Sequence, residues 1–443
     1  MLLNEPDAKR TCDKLLSYLR ADDAVVRVRS NSDSHVRFAS NTITTNGSSE
    51  ETSVQVTVWM NQKRGEASGN EMSDAALRRT VEQAEQIARV SPVDQEYVPS
   101  LGPQTFEPVD GYVDATANIV AADRARSMAQ VIDACEKAKV SGYGFHQAGA
   151  EAAAFASKNG NFNYSRSSNV SFALTVRTPD GAGSGYFARS HFDLGKLDIG
   201  QIAGEAIRKA LDSHSPRPLG PGIYTVILEP QAVADLLGFF TYAFDARRAD
   251  EGRSALSASG GKTKLGEQLF DSRLQLYSDP RHPELPGSPS TEEGVPARKT
   301  WLVKDGKIET LTYSRFWARQ KDTLPTPGPV NSILEGSGSL STIEEMIQST
   351  ERGLLVSRFW YIRTVDPRTA LLTGLTRDGL WYIEDGKVAY PARNFRFNQS
   401  LLQMLAPGNV PKIGVPVRTY DSGALFPALL IKEFNFSSES DAV

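Results

Sequence analysis

The sequence predicts an α+β protein whose second half is mostly antiparallel β. At 443 residues the chain is too long for one ordinary hydrophobic core, which indicates at least two domains. Apolar residues alternate with a period of two in segments such as 53–59 and recur at helical spacing in segments such as 74–89. In the second half, Asp305-Gly306 and Asp385-Gly386 each stand between strand-like runs, as expected of two-residue hairpin turns.

The first half contains a degenerate strand-strand-helix duplication, with copies over residues 25–90 and 149–212. Phe38-Ala39-Ser40-Asn41 in the first copy resembles Phe155-Ala156-Ser157-Lys158 in the second, and each is followed by an alternating run, a glycine-containing segment and an amphipathic helix. The alternative is two unrelated strand-strand-helix units. A further helix, over about 121–139, joins the copies.

A segment rich in proline, glycine and serine, 213–222, separates the two halves, because such a composition cannot continue the preceding helix. We therefore predict an α+β domain over 1–218 and a β-rich domain over 219–443. Residues 279–296 contain five prolines and form either an ordered loop or a flexible flap.

Composition narrows the functional classes. Hydrophobic residues make up 40% and charged residues 23%, and no run approaches the roughly 18 apolar residues of a membrane helix. The first twenty residues lack the pattern of a signal peptide, so we expect a cytoplasmic protein. A net charge of −4 without a basic stripe argues against nucleic-acid binding. Cys12 and Cys135 are expected to be buried thiols.

Histidine spacing excludes the short-range zinc motifs. The five histidines are at 35, 146, 191, 214 and 282, and no two are three to five positions apart. A zinc site assembled from His146, His191 and a carboxylate stays open, beside the interpretation of each histidine as a hydrogen-bonded imidazole. The Gly-Ser segment 336–339 is interpreted as a loop, because the chain lacks a Gly-x-Ser-x-Gly elbow.

Two clusters, at 314–319 and 357–363, combine arginine with aromatic residues. A third segment, 373–379, follows a strand closely. The functional interpretation is a cavity in which arginine binds a substrate carboxylate and aromatic rings stack; the alternative is core packing with Arg-Asp pairs or a simple turn. In a regular strand Arg358, Trp360 and Ile362 would share one side, and Phe359, Tyr361 and Arg363 the other. The cavity candidates are Arg315, Trp317, Arg358, Trp360, Tyr361, Arg377 and Asp378.

Several segments together resemble the TldD/PmbA family of metallopeptidases over nearly the whole chain. They include Ala84-Glu85-Gln86-Ile87-Ala88, the strand-like 224–230 and the hairpin 381–387. In zinc-bearing TldD-type members the strand that 224–230 resembles leads into a helix with His-Glu-x-x-x-His, and a cysteine near the carboxyl terminus completes the metal site. The resemblance implies that helix here over 231–245.

The zinc motif itself is missing. When Leu236-Leu237 is set on the two leucines before the motif, Gly238 and Ala243 stand where the histidines belong, and Phe239 stands where the glutamate base belongs. No cysteine follows Cys135. The resemblance therefore implies no catalytic residue and no metal on this chain, and an aromatic-rich helix that should be buried.

By resemblance, the chain is a TldE/PmbA-like, non-catalytic subunit. It is expected to pair with a zinc-bearing TldD-like subunit to form a peptidase for unfolded or small peptides, in proteolysis or in the maturation of peptide natural products. Two alternatives are an independent, metal-free enzyme that uses the arginine and aromatic cavity, and a homodimeric peptide-binding protein.

Overall fold

The computed structural model describes residues 2–420 and 423–440 and confirms the α+β class with mostly antiparallel sheets. Short 3-10 helices cover Leu194–Lys196 and Thr241–Phe244. The α-helices are α1 Glu5–Tyr18, α2 Asp74–Val90, α3 Asp114–Ala117, α4 Ala121–Lys137, α5 Ile199–Asp212, α6 Pro230–Leu237, α7 Ala246–Asp250, α8 Arg315–Gln320, α9 Ile343–Gln348 and α10 Leu401–Met404.

The strands range from two to nineteen residues in length. They are β1 Asp23–Ala39, β2 Thr42–Met60, β3 Lys63–Gly69, β4 Ser141–Ser157, β5 Phe162–Arg177, β6 Ser184–His191, β7 Gly222–Leu228, β8 Ser257–Ala258, β9 Lys262–Thr263, β10 Leu274–Ser278, β11 Thr300–Lys304, β12 Lys307–Ile308, β13 Ser332–Gly336, β14 Arg352–Asp366, β15 Leu371–Glu384, β16 Lys387–Pro391, β17 Phe395–Ser400, β18 Lys412–Ile413, β19 Val417–Arg418, β20 Ala424–Phe426 and β21 Leu429–Glu439.

The duplicated half forms one antiparallel sheet in the order β3-β2-β1-β4-β5-β6. The copies meet where β1 pairs with β4, from Val25 opposite Ser157 to Ala39 opposite Tyr143. Each copy has three strands and a helix, so the predicted strand-strand-helix unit lacked a strand: β3 and β6 were interpreted as glycine-containing connections. Strand β3 is polar and contains two glycines, as an edge strand can, and β6 lacks alternation of apolar and polar residues although most of it is buried.

A pair of equivalent glycines supports the duplication over two unrelated units. A Cβ on Gly65 of β3 would lie 2.0 Å from the carbonyl oxygen of Ala84, and a Cβ on Gly185 of β6 would lie 2.3 Å from that of Ala206. In both copies a glycine on the third strand thus lets the alanine face of the following helix, α2 or α5, approach the sheet closely.

The second half is predominantly antiparallel, as predicted, and contains a closed barrel. Strand β7 pairs in parallel with β14 and antiparallel with β21, and the circuit continues through β17 and β15 back to β14. A second sheet has the order β12-β11-β10-β13-β20-β19. The turns at Asp305-Gly306 and Asp385-Gly386 have positive φ at both residues, so the two predicted hairpins are confirmed.

A buried ion pair connects the first sheet to the barrel. Lys209 of α5 is 1% exposed. Its Nζ donates to the carboxylate of Glu229, the N-cap residue of α6, and to Oγ of Ser357 in β14, the latter at 2.7 Å. Burial lowers the pKa of Lys209, and Glu229 opposes that shift.

The proline-rich segment 279–296 is an ordered loop that crosses to the first sheet. Glu292 lies 3.1 Å from Arg29, and Glu284 lies 2.6 Å from Lys196 and 3.3 Å from His191. Within the described part of the chain, no helix is long and apolar enough to span a membrane.

We expect Lys209→Met to lower the free energy of unfolding by about 3 kcal/mol, because it leaves the Glu229 carboxylate buried without its partner. The double variant Lys209→Met/Glu229→Gln should recover most of that loss. Urea unfolding measures both, with Lys137→Met as the control, since Lys137 and Asp133 form an exposed pair. Equal losses in Lys209→Met and the control would contradict the expectation.

Candidate functional site

The segment where the zinc motif belongs is not one helix. Helix α6 ends at Leu237, and the amides of Phe239 and Phe240 bond to carbonyls three residues back, at 3.1 and 2.9 Å, before the 3-10 turn begins. The predicted helix over 231–245 is therefore wrong. Tightening from a four-residue to a three-residue hydrogen-bond spacing rotates successive side chains and ends the α-helix.

Two aromatic residues of this segment are buried and two are exposed. Phe240 and Phe244 are buried and meet edge to face at 5.3 Å, whereas Phe239 is 41% exposed and Tyr242 is 69% exposed. The expected fully buried aromatic helix is thus wrong for Phe239 and Tyr242. Ala243 is partly buried against the core.

The structure does not bring the candidate zinc ligands together. His191 bonds to Glu284 and accepts from the amide of Asp193 at 2.9 Å, while both ring nitrogens of buried His146 lack a hydrogen bond among residues 2–420 and 423–440. Over the same residues no cluster of three or more His, Cys, Asp or Glu could hold a metal. At the motif positions, Gly238, Phe239 and Ala243 supply no ligand atom, so these residues do not fit zinc.

His146 makes folding sensitive to acid. Burial, assisted by Arg124, lowers its pKa from 6.5 to about 4, so the neutral ring is the folded form. A lowered histidine pKa gives stability that is complete above about pH 6.5 and is lost as the pH falls toward 4. We expect His146→Phe, which fills similar space beside Phe172, to lose less stability than the parent between pH 7 and pH 4.5, by about 2 kcal/mol.

Thermal unfolding at both pH values tests this expectation, with the more exposed His214→Phe as control. Parallel losses in His146→Phe and in the parent would refute it.

Four of the predicted cavity residues do come together, on β14 and β15. Asp378 is buried; its Oδ2 lies 3.6 Å from Nη1 of Arg358 and 3.7 Å from Nε of Arg377, and its Oδ1 accepts from Oγ of Ser184 at 2.6 Å. The Trp360 ring lies between the two guanidinium groups, 5.0 Å from that of Arg358 and 5.1 Å from that of Arg377. We call Arg358, Trp360, Arg377, Asp378 and Tyr186 the arginine cluster.

A bulge in β14 changes the predicted alternation. Tyr361 has φ of 57°, and the register with β15 shifts between Trp360 and Arg363. Phe359 and Ile362 consequently both point into the barrel core, while Trp360 and Tyr361 are 45% and 66% exposed. The prediction that Ile362 shares a side with Arg358 and Trp360 is wrong, because the extra residue of a bulge breaks the period of two.

The last two candidates, Arg315 and Trp317, lie apart from this cluster, on α8. Arg315 donates to the carbonyl of Pro99, and its amide donates to Glu293 at 2.9 Å. Trp317 donates from Nε1 to Asp250 at 2.7 Å. Arg315 borders a separate polar cavity of about 460 Å³, together with Arg27 and Trp59.

Family models described as PmbA/TldA metallopeptidase domain 1 and PmbA/TldA metallopeptidase C-terminal domain match residues 24–88 and 221–438. The chain belongs to the TldD/PmbA family. Among curated relatives of this family, the metalloprotease PmbA of Escherichia coli O157:H7 is 22% identical over 385 residues, which cover 82% of this chain and 81% of that protein.

Solved structures of similar proteins share the fold. TldE from Thermococcus kodakarensis superposes with a TM-score of 0.86 at 18% identity, over 97% of this chain and 99% of that one. A proposed modulator of DNA gyrase from Thermotoga maritima MSB8 gives 0.86 at 16% identity, over 97% and 100%. A similarly described protein from Bacteroides thetaiotaomicron VPI-5482 gives 0.84 at 19% identity, over 99% and 100%.

In this TldD/PmbA member, sequence analysis missed Asp235 of α6 and Tyr186 of β6. Asp235 accepts from the amide of Phe359 at 2.8 Å and from Nε2 of Gln231 at 2.9 Å, and burial raises its pKa to about 6. Its place among apolar residues of a short helix was a usable signal. Tyr186, whose ring lies 4.0 Å from the Arg358 guanidinium, gave none, because it belongs to the other half of the chain.

Asp235 should make stability fall as the pH rises. A carboxyl whose pKa is raised in the folded state from 3.8 to about 6 favours folding fully below pH 3.8, and that contribution is lost as the pH passes 6. We expect parent stability relative to Asp235→Asn to fall by about 2 kcal/mol from pH 4 to pH 8. Urea unfolding across this range measures the difference. Exposed Asp133→Asn, as control, should show no such trend, and a flat difference for Asp235→Asn would refute the assignment.

Proposed function

We propose that this chain is a non-catalytic, TldE/PmbA-like subunit that pairs with a zinc-bearing TldD-like subunit in a peptidase for unfolded or small peptides. The observation that carries the proposal is the combination of metallopeptidase family membership with Gly238, Phe239 and Ala243 at the motif positions. The metal, the base and the peptidase chemistry would then belong to the partner, and this chain would contribute cavity walls and peptide contacts.

The residue types at the motif positions support this proposal. None of Gly238, Phe239 and Ala243 carries a side-chain atom that could bind a metal. Helix α6 ends at Leu237, directly before Gly238, and a turn and a 3-10 helix follow. A metal and a general base would therefore have to come from another chain.

The test is coexpression with a zinc-bearing TldD-like protein from the same genome. We expect copurification, with zinc and peptidase activity in the complex, and neither on the lone chain, as measured by plasma mass spectrometry and by hydrolysis of unfolded casein. Stoichiometric zinc and activity on the lone chain would overturn the proposal. A stable homodimer that binds peptide, and that no zinc subunit joins, would also overturn it and favour the peptide-binding alternative.

Restoring the motif residues should not restore the metal site. We expect Gly238→His/Phe239→Glu/Ala243→His to bind no stoichiometric zinc, because two histidines fall short of the three protein ligands of a catalytic zinc site and no cysteine follows Cys135. Zinc content after dialysis measures the outcome, and circular dichroism checks that the variant is folded. Tight, stoichiometric zinc on the folded variant would contradict this expectation and show that the restored residues suffice.

A further inference from the structure

The arginine cluster has an excess of positive charge over its internal partners. Two guanidinium groups, those of Arg358 and Arg377, flank one carboxylate, that of Asp378, and neither contact is shorter than 3.6 Å. Asp378 is further engaged by Ser184, whose hydroxyl donates to Oδ1 at 2.6 Å. One carboxylate therefore faces two cations at distances too long for direct hydrogen bonds.

The guanidinium N–H groups are available to a ligand. Neither Arg358 nor Arg377 donates a side-chain hydrogen bond to any residue within 2–420 and 423–440. Aromatic rings hold both side chains instead: Tyr186 lies 4.0 Å from the Arg358 guanidinium, and Trp360 lies near both guanidiniums. Stacking fixes the plane of a guanidinium while leaving its edge free for a carboxylate, which binds in that plane through two N–H groups.

The cluster also opens to solvent through a strained piece of backbone. A bulky residue such as Tyr361 is an outlier at φ of 57°, and this bulge turns Trp360 and Tyr361 outward together. Without the bulge, one of the two neighbouring rings would enter the barrel. Arg377, with 29% of its side chain exposed, lies beside Trp360 and is the guanidinium that a ligand would reach first.

We propose that the arginine cluster is a binding site for a carboxylate group of a peptide, with Arg377 and Arg358 as donors and Trp360 as the surface against which the adjoining residue packs. That the ligand is a peptide rests on the proposed function, whereas the preference for a carboxylate rests on two guanidinium groups whose contacts with Asp378 are too long for hydrogen bonds. The amide of Phe359, next to Arg358, bonds to Asp235 of α6, so the site adjoins the helix that precedes the vacant zinc positions. It would hold one end of a peptide near the cavity wall.

The test measures fluorescence anisotropy of dansyl-Ala-Phe-Ala, as its free acid and as its carboxyl-terminal amide, with the full chain and no partner. We expect the free acid to bind the parent at least about tenfold more tightly than the amide, because charge-assisted hydrogen bonds are strong. Arg377→Gln should remove that preference and leave the affinity for the amide unchanged. Asp378→Asn, which keeps an acceptor for Ser184 and removes the competing charge, should tighten binding of the free acid.

Arg352→Gln, at the exposed start of the same strand, is the matched control and should bind like the parent. The amide dansyl-Ala-Glu-Ala-NH₂ separates the two sources of carboxylate: binding that depends on Arg377 would support the site and assign it to acidic side chains. Equal binding of acid and amide by the parent, an unchanged preference in folded Arg377→Gln, or no binding of any peptide would overturn the proposal. Because no zinc subunit is present, failure of the pairing proposal leaves this result intact, and the reverse also holds.

Discussion

The buried ammonium group of Lys209 is the contact on which the arrangement of the two halves depends. It extends from the helix of the second repeat to Glu229, the residue that begins α6, and to Ser357 of β14. The amide of Glu229 also bonds to the carbonyl of Val356, so strand and helix are fixed to each other at the point where the lysine joins them. Paired burial of this kind is costly to break, because each charge would be left in an apolar surrounding.

That junction positions the candidate site. Ser357 directly precedes Arg358, and Ser184 and Tyr186 reach Asp378 and Arg358 from the first sheet. The site is therefore built from side chains of both halves, and Lys209 joins the two halves next to it. A carboxylate site on rigid strands needs little reorganisation when a ligand arrives, which favours binding.

The sequence predicted the features that depend on residues close together in the chain. The hairpins at Asp305 and Asp385 follow from the positive φ that these turns require, and the repeat was visible because its helices keep their apolar period. Strands β3 and β6 were missed because neither alternates apolar and polar residues: β3 is polar with two glycines, and in β6 Tyr186, Phe187 and Ala188 are consecutive. The helix over 231–245 was extended too far because resemblance supplied its length, whereas the hydrogen bonds after Leu237 determine where it ends. Within the site, the Arg377-Asp378 pair was visible as neighbours in sequence, but the bulge at Tyr361 and the contribution of Tyr186 depend on tertiary contacts.

The closed barrel has a consequence for how the protein is made. Strand β7 comes first among the barrel strands, yet Val226 pairs with Leu354 on one side and with Ile431 on the other. During synthesis β7 has no barrel partner until β14, at 352–366, has left the ribosome, and its other edge stays open until β21, at 429–439, follows. The first sheet needs no residue beyond 191 for its pairing. Such non-local closure is slow and exposes apolar strands. The first sheet can therefore fold before the barrel closes. Strand β7, exposed in the meantime, is the segment on which a chaperone should act.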